Sequence, residues 1–172
     1  MLIRKATGEE MLSLWGYEDI KNAPCTARFF YQNITSGNAV FWALDLDGEL
    51  IGELYVFLDL EDHDFADGTG RAYLCAFRVN PEYRGQGLGS SLMEKALAEL
   101  KESGFSSATI GVASDEPQNL KLYRRMGFAE KIKECYYDPC GFDENGQAIC
   151  EEAGWWLLAK ELCNTRFRCF RF

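Results

Sequence analysis

Histidine is nearly absent from this chain, with His63 the only one among 172 residues. It sits in the acidic run Glu61-Asp62-His63-Asp64, which reads as a solvated loop rather than half of a catalytic pair. Basic residues are also in deficit. Eighteen Lys and Arg against 27 Asp and Glu give a net charge of -9. A surface that grips phosphate backbones needs a basic face, so nucleic acid is not expected as a partner, whereas a negative surface favours the approach of cationic molecules, amines among them. No apolar run approaches the roughly 18 residues of a membrane span. The opening Met1-Leu2-Ile3-Arg4-Lys5 turns charged at once, so no membrane partner and a cytoplasmic setting are expected. Cys135, Cys140 and Cys150 stand close together, but no second ligand pair completes a zinc set, and the seven cysteines are expected to be reduced, structural thiols with no bound metal.

What is present is a dense alternation of short strands and helices without repeats or linkers, read as one domain over 1–172. A short strand at 3–6 leads to Thr7-Gly8-Glu9-Glu10, an N-cap with acidic residues in a first turn, and then to short helices around 11–15 and 26–32. Strands at 39–44 and 50–57 flank Asp47-Gly48, a strong hairpin signal. A further strand is expected at 71–79. Leu88, Leu92, Ala96 and Leu100 recur at i+4 and mark an amphipathic helix over 87–101. A strand at 108–113, a helix at 117–126 and strands at 131–137 and 155–160 follow, the last two separated by a turn-rich excursion. The tail 166–172 alternates basic and aromatic residues, as a last strand or a homodimer contact would.

Between the strand at 71–79 and the long helix lies Arg84-Gly85-Gln86-Gly87-Leu88-Gly89. Glycine permits positive φ and close approach of the backbone. Consecutive N–H groups delivered to the positive end of a helix make an anion site, and Arg84 adds a cation at its mouth. The run suits a diphosphate. Neither the dinucleotide fingerprint Gly-x-Gly-x-x-Gly nor a loop ending Gly-Lys-Ser/Thr is present.

Arg84-Gly85-Gln86-Gly87-Leu88-Gly89 resembles the Arg/Gln-x-x-Gly-x-Gly/Ala motif of the GNAT superfamily of N-acetyltransferases. Leu122-Tyr123-Arg124-Arg125-Met126-Gly127-Phe128 is similar to that family's Leu-Tyr-x-x-x-Gly-Phe. The resemblance implies an α/β (α+β) fold: a mixed, mostly antiparallel central sheet of six or seven strands, splayed at the cofactor site and flanked by about four helices. It implies acetyl-CoA as cofactor and a small-molecule amine as acceptor, attacked directly in a ternary complex. A bulge near Phe77-Arg78-Val79 would free backbone groups for the pantetheine arm, and amides over Arg84, Gly85, Gln86, Gly87, Leu88, Gly89 and Ser90 would take the pyrophosphate. Where the family often carries an Asn seven residues before the motif Tyr, this chain has Glu116. Asn119, one turn before Tyr123 on the same helix face, is the residue that stands in.

Acetyl transfer needs a neutral amine, an oxyanion stabiliser and a proton for the departing thiolate. At pH 7 the neutral form of a lysine-like ammonium lies about 4.6 kcal/mol uphill, so a base is expected. Tyr123 is the candidate acid, and the Val79 amide a candidate oxyanion donor. Glu53 is the candidate base, through water. It alternates with Tyr55 and Phe57, so the three share a sheet face. Phe29, Phe30, Tyr31, Trp155 and Trp156 are candidates for lining an acceptor pocket. Two alternatives stay open: a non-catalytic acyl-CoA-binding sensor, and an acetyltransferase acting on a protein N-terminus or lysine.

Overall fold

The computed structural model describes residues 1–162, so the tail 166–172 lies outside the described residues. Seven strands form one sheet in the order β1-β2-β3-β4-β5-β7-β6. They are β1 (Leu2–Ala6), β2 (Ala39–Leu46), β3 (Glu49–Phe57), β4 (Arg71–Val79), β5 (Ser107–Ala113), β6 (Glu130–Phe142) and β7 (Ala148–Glu161). Every neighbouring pair is antiparallel except β4 and β5. The helices are α1 (Gly8–Leu14), α2 (Cys25–Ser36), α3 (Leu88–Glu102) and α4 (Pro117–Arg125). None of the described helices is long and apolar enough to cross a membrane.

Local chemistry explains most boundaries. Thr7 and Glu10 form a reciprocal capping box that starts α1. Asp47 and Gly48 both take positive φ, 54° and 96°, which gives the two-residue turn whose twist suits a hairpin between β2 and β3. Strand alternation then sorts side chains onto two faces. Phe41, Ala43, Tyr55 and Phe57 join α1 and α2 in one core, while Trp42, Leu44, Leu54 and Val56 join α3 and Tyr123 of α4 in the other. Glu53, Tyr55 and Phe57 share a face, as their spacing implies.

The sheet opens at its centre. Parallel pairing of β4 with β5 ends at Leu74↔Ile110, although both strands run on. Beside that opening β4 bulges against β3: Leu54 alone separates the pairs Glu53↔Arg78 and Tyr55↔Cys75, opposite Ala76 and Phe77. Ala76 has φ 47°, a left-handed conformation rarely taken by a residue with a Cβ. The bulge therefore lies at Ala76–Phe77, slightly before the expected 77–79. On the other side β5 stays with β7, and Trp155 lies on Gly111, where a Cβ would come within 2.5 Å of the indole. β6 and β7 are much longer than 131–137 and 155–160. What reads as a turn-rich excursion is mostly hairpin, because the polar, Glu-rich stretch of β7 is exposed and carries little apolar alternation. The hairpin's far end is tied to α2, where the Thr26 hydroxyl donates to the Phe142 carbonyl (3.1 Å) and accepts from the Phe142 amide (2.9 Å).

Gly111→Ala is expected to lower stability by about 1–3 kcal/mol, because the added methyl overpacks against the Trp155 ring and forces it off its seat on β5. Urea denaturation measures it, and an unchanged midpoint contradicts the wedge.

Candidate active site

The loop before α3 is built from backbone. Pro81–Tyr83 form a single 3-10 turn, after which Gly85 and Gly87 take φ 76° and 78°. Gly87 is the N-cap of α3 and no side chain caps it. The first intrahelical bond runs from Ser91 N–H to the Gly87 carbonyl, so the amides of Leu88, Gly89 and Ser90 have no helical acceptor. They face a cavity of about 680 Å³ lined also by Val79, Arg84, Asn119, Tyr123 and Arg125. Bare amides, a helix N-terminus and the guanidinium groups of Arg78, Arg84 and Arg125 thus surround one opening, a donor set that fits a diphosphate. Arg84 lends its Nε to the Val79 carbonyl at 2.7 Å.

The three glycines differ in their work. Gly85 and Gly87 supply positive φ, and a Cβ on either would meet nothing within 4 Å. Gly89 instead lets α3 sit on β4, since its Cβ would come within 2.8 Å of Phe77 Cζ. Gln86 is not among the residues lining the cavity. Asn119 is, yet its amide donates to Glu116 at 3.1 Å, so the stand-in and the residue it replaces are joined.

The opened edge of β4 supplies the next donors. Asn80 N–H reaches the Ile51 carbonyl on β3 at 2.8 Å, so alternation turns the backbone of Arg78 towards β3 and that of Val79 towards the gap, where its carbonyl accepts from Arg84 Nε. Of the expected trio, Val79 presents its backbone to the gap, Arg78 does not, and Phe77 lies in the bulge.

A second cavity of about 490 Å³ lies on the α1/α2 side, lined by Trp15, Phe30, Cys75, Asp138, Cys140, Glu151 and Trp155, among others. The two cavities share Phe77, Arg78 and Tyr123. Tyr123 is buried, its phenol makes no hydrogen bond to a described residue, and it stands where they meet. Loss of solvent, with a smaller contribution from the negative charge of Glu116, pushes its phenol up to about 12. Of the aromatic candidates only Phe30 and Trp155 line this second cavity. Phe29 packs between Phe57 and Phe142, Tyr31 donates to Glu9, and Trp156 faces the opposite core under Lys131.

Glu53 is 6% exposed and lines neither of these cavities; it borders a third space of about 640 Å³ with Trp15, Arg78 and Arg84. Its carboxylate accepts from Trp15 Nε1 at 2.9 Å and Tyr55 Oη at 2.7 Å, and forms an ion pair with Arg78, Nε lying 2.6 Å away. Beside that negative charge and away from water, the Tyr55 phenol is driven well above its ordinary range. Sequence reasoning missed Trp15, Asp138, Glu151 and Arg125 as cavity residues. Arg125 alone carried a signal, as part of the Leu122–Phe128 motif.

Elsewhere, His63 and its neighbour Asp59 are exposed, 3.7 Å apart. The five described cysteines are unpaired thiols, and no group of three or more His, Cys, Asp or Glu among the described residues is placed to hold a metal.

Comparison with known proteins agrees with this geometry. Residues 9–128 match the sequence model of the acetyltransferase (GNAT) family. Over 112 residues the chain is 32% identical to thialysine N-epsilon-acetyltransferase of Bos taurus, an alignment covering 64% of this chain and 65% of that protein. The chain thus spans less than two thirds of that relative, and 20% of the mycothiol acetyltransferase of Saccharopolyspora erythraea, to which it is 36% identical over 63 residues. The fold is shared with the ribosomal-protein-S18-alanine N-acetyltransferase of Escherichia coli: TM-score 0.68, 18% identity, 99% of both chains covered. It is shared too with a GNAT family acetyltransferase of Elizabethkingia anophelis with acetyl-CoA bound: TM-score 0.57, 18% identity, 93% and 97% covered.

Gly87→Ala places a methyl-bearing residue at a left-handed helix cap, at a cost of about 1–2 kcal/mol. The free loop relaxes out of the left-handed cap and must be returned to it when ligand binds, so the expected outcome by calorimetry is coenzyme A binding weakened about five- to thirty-fold, with melting temperature little changed. Undiminished affinity contradicts the loop as the anion site.

Proposed function

The chain belongs to the acetyltransferase (GNAT) family, and from that premise we propose that it transfers the acetyl group of acetyl-CoA to the primary amine of a small cationic molecule in a ternary complex. The observation that carries this reading is the meeting of two cavities at Tyr123, one lined by bare amides and guanidinium groups, the other by aromatic rings and carboxylates. When bound, acetyl-CoA supplies an acetyl group activated as a thioester. The amides of Leu88, Gly89 and Ser90, with Arg84 and Arg125, hold its diphosphate. The backbone of Phe77 and Val79 receives the pantetheine arm, and the Val79 amide faces the developing oxyanion.

Tyr123 is the acid in this reading. A phenol near 12 stays protonated throughout the physiological range, so the proton is in place when the thiolate leaves. Against a reference thiol near 8.5 the transfer is about 5 kcal/mol uphill, considerably more than an unperturbed phenol would require. The same desolvation raises the thiol's own pKa in the shared cavity, which narrows that gap. Glu53 is the base, through water in the space it borders with Arg78. Its position beside Trp15, Tyr55 and Arg78 is what recommends it for that role. Unpaired thiols and the charge balance fit a cytoplasmic enzyme.

Tyr123→Phe is expected to lower kcat about 10²- to 10⁴-fold while coenzyme A affinity stays within about two-fold. Because the raised pKa keeps the acid protonated as pH climbs, wild-type kcat is expected to show no alkaline decline between about pH 8 and 10 from this group. Unchanged single-turnover rates in the variant remove the acid role. Glu53→Gln is expected to reduce kcat at least about ten-fold and to alter the rising limb of its pH profile. A superimposable profile leaves Glu53 as an anchor for Arg78 alone.

A further inference from the structure

The side chain of Arg78 is an unusual neighbour for an amine-binding cavity. It lies on the α1/α2 face of β4, borders all three spaces described above, and is 61% exposed. Only its Nε is engaged, by Glu53 at 2.6 Å, while the guanidinium stands 5.8 Å from the centre of the Trp15 ring. Its two terminal nitrogens make no hydrogen bond to any described residue. The carboxylate that aims it is itself clamped by Trp15 and Tyr55 in the buried face of the sheet. A guanidinium with one edge anchored by a fixed carboxylate is pre-ordered, and its outer edge is a planar fork of donors. Such a fork matches a carboxylate in two parallel bonds, with little rotamer freedom left to lose on binding.

A fixed cation at the reaction point disfavours an acceptor whose only charges are positive. It suits an amine that brings a carboxylate with it. The remaining walls are aromatic, from Trp15, Phe30 and Trp155, with Asp138 and Glu151 as carboxylates. A basic side chain running along the rings finds its counter-charge there.

We infer that the acceptor is an α-amino acid, favoured when its side chain is basic, and that the Arg78 side chain binds its α-carboxylate so that the α-amine faces Tyr123 and the acetyl group. The inference rests on the acetyl-transfer reading and narrows its substrate class. Arg78 then contributes twice: it selects the acceptor, and its charge lowers the pKa of the adjacent ammonium and eases formation of the neutral nucleophile.

The test uses matched pairs that differ only in the carboxylate: L-arginine with agmatine, and L-phenylalanine with phenethylamine. Thiol release from acetyl-CoA gives kcat/KM for each, and calorimetry with the coenzyme A-loaded protein gives acceptor binding. In each pair the amino acid is expected to lead at least about ten-fold in both readouts, since a site built for a hydrogen-bonded group rejects the analogue that lacks it. Arg78→Gln is expected to bring each pair within about two-fold of equality, and Arg78→Lys to keep part of the preference. Acetyl-CoA affinity is measured on the same variants, because the Arg78 side chain also borders the diphosphate cavity, and a loss there that matches the loss of acceptor preference assigns the fork to the cofactor and overturns the inference. A melting curve of each variant reports whether the Glu53 contact was needed for folding, and Lys, which retains a cation for it, reads the preference should Gln unfold. Equal or reversed preference in the wild type overturns the inference, as does an Arg78→Gln loss that falls evenly on both members of a pair. Amines acetylated without regard to a carboxylate sink this inference alone. Coenzyme A binding with no member of either pair acetylated counts against acetyl transfer as well.

Discussion

A β-strand that loses its neighbour partway along its length keeps its donors and acceptors, and something must meet them. That constraint organises this molecule. β4 and β5 part after Leu74 and Ile110. The bulge at Ala76–Phe77 bends one strand, and Trp155 pressed on Gly111 keeps the other with β7. The exposed edge is short, flanked by two cores, and has the N-terminus of α3 at one end. A ligand with an extended polar arm and an anionic head satisfies both features together.

Charge is distributed to match. Arg84 and Arg125 stand with the amides of α3 on one side of the gap, while Asp138 and Glu151 stand on the other. A net charge of -9 is therefore not spread evenly around the opening. At the centre Arg78 is paired with Glu53, whose carboxylate is held by an indole and a phenol, and the outer edge of the guanidinium stays open to the cavities.

Much of the cofactor half could be read from residues alone, because its chemistry is local. Glycines before an amphipathic run, with Arg84 ahead of them, specify a loop and a helix start within a few positions. The acceptor half could not, because it is assembled from distant segments. Trp15 closes α1, Cys75 belongs to β4, Asp138 to β6 and Glu151 to the exposed part of β7. None has a spacing that predicts the others. Gly89 shows a finer limit. In sequence it is a third member of a glycine series, and only the position of Phe77 reveals that it serves helix packing. Glu53 was found by strand alternation, but its three partners come from the end of α1, from its own strand and from β4, which no pattern along one strand contains. Ala76 gave no warning of its positive φ, since bulges depend on the partner strand.

The tie between Thr26 and Phe142 carries a consequence for how such a protein diversifies. It fastens the far end of the β6–β7 hairpin to α2, so the wall of the acceptor cavity is a strap anchored at both ends rather than a free flap. The hairpin tip, Asp143 to Gln147, lies beyond the fastening and away from α3. Residues may therefore be gained, lost or exchanged on the cavity side of the strap while the diphosphate loop, on the opposite face of the sheet, keeps its shape. One wall of the opening can thus change in sequence while the loop before α3 stays as it is.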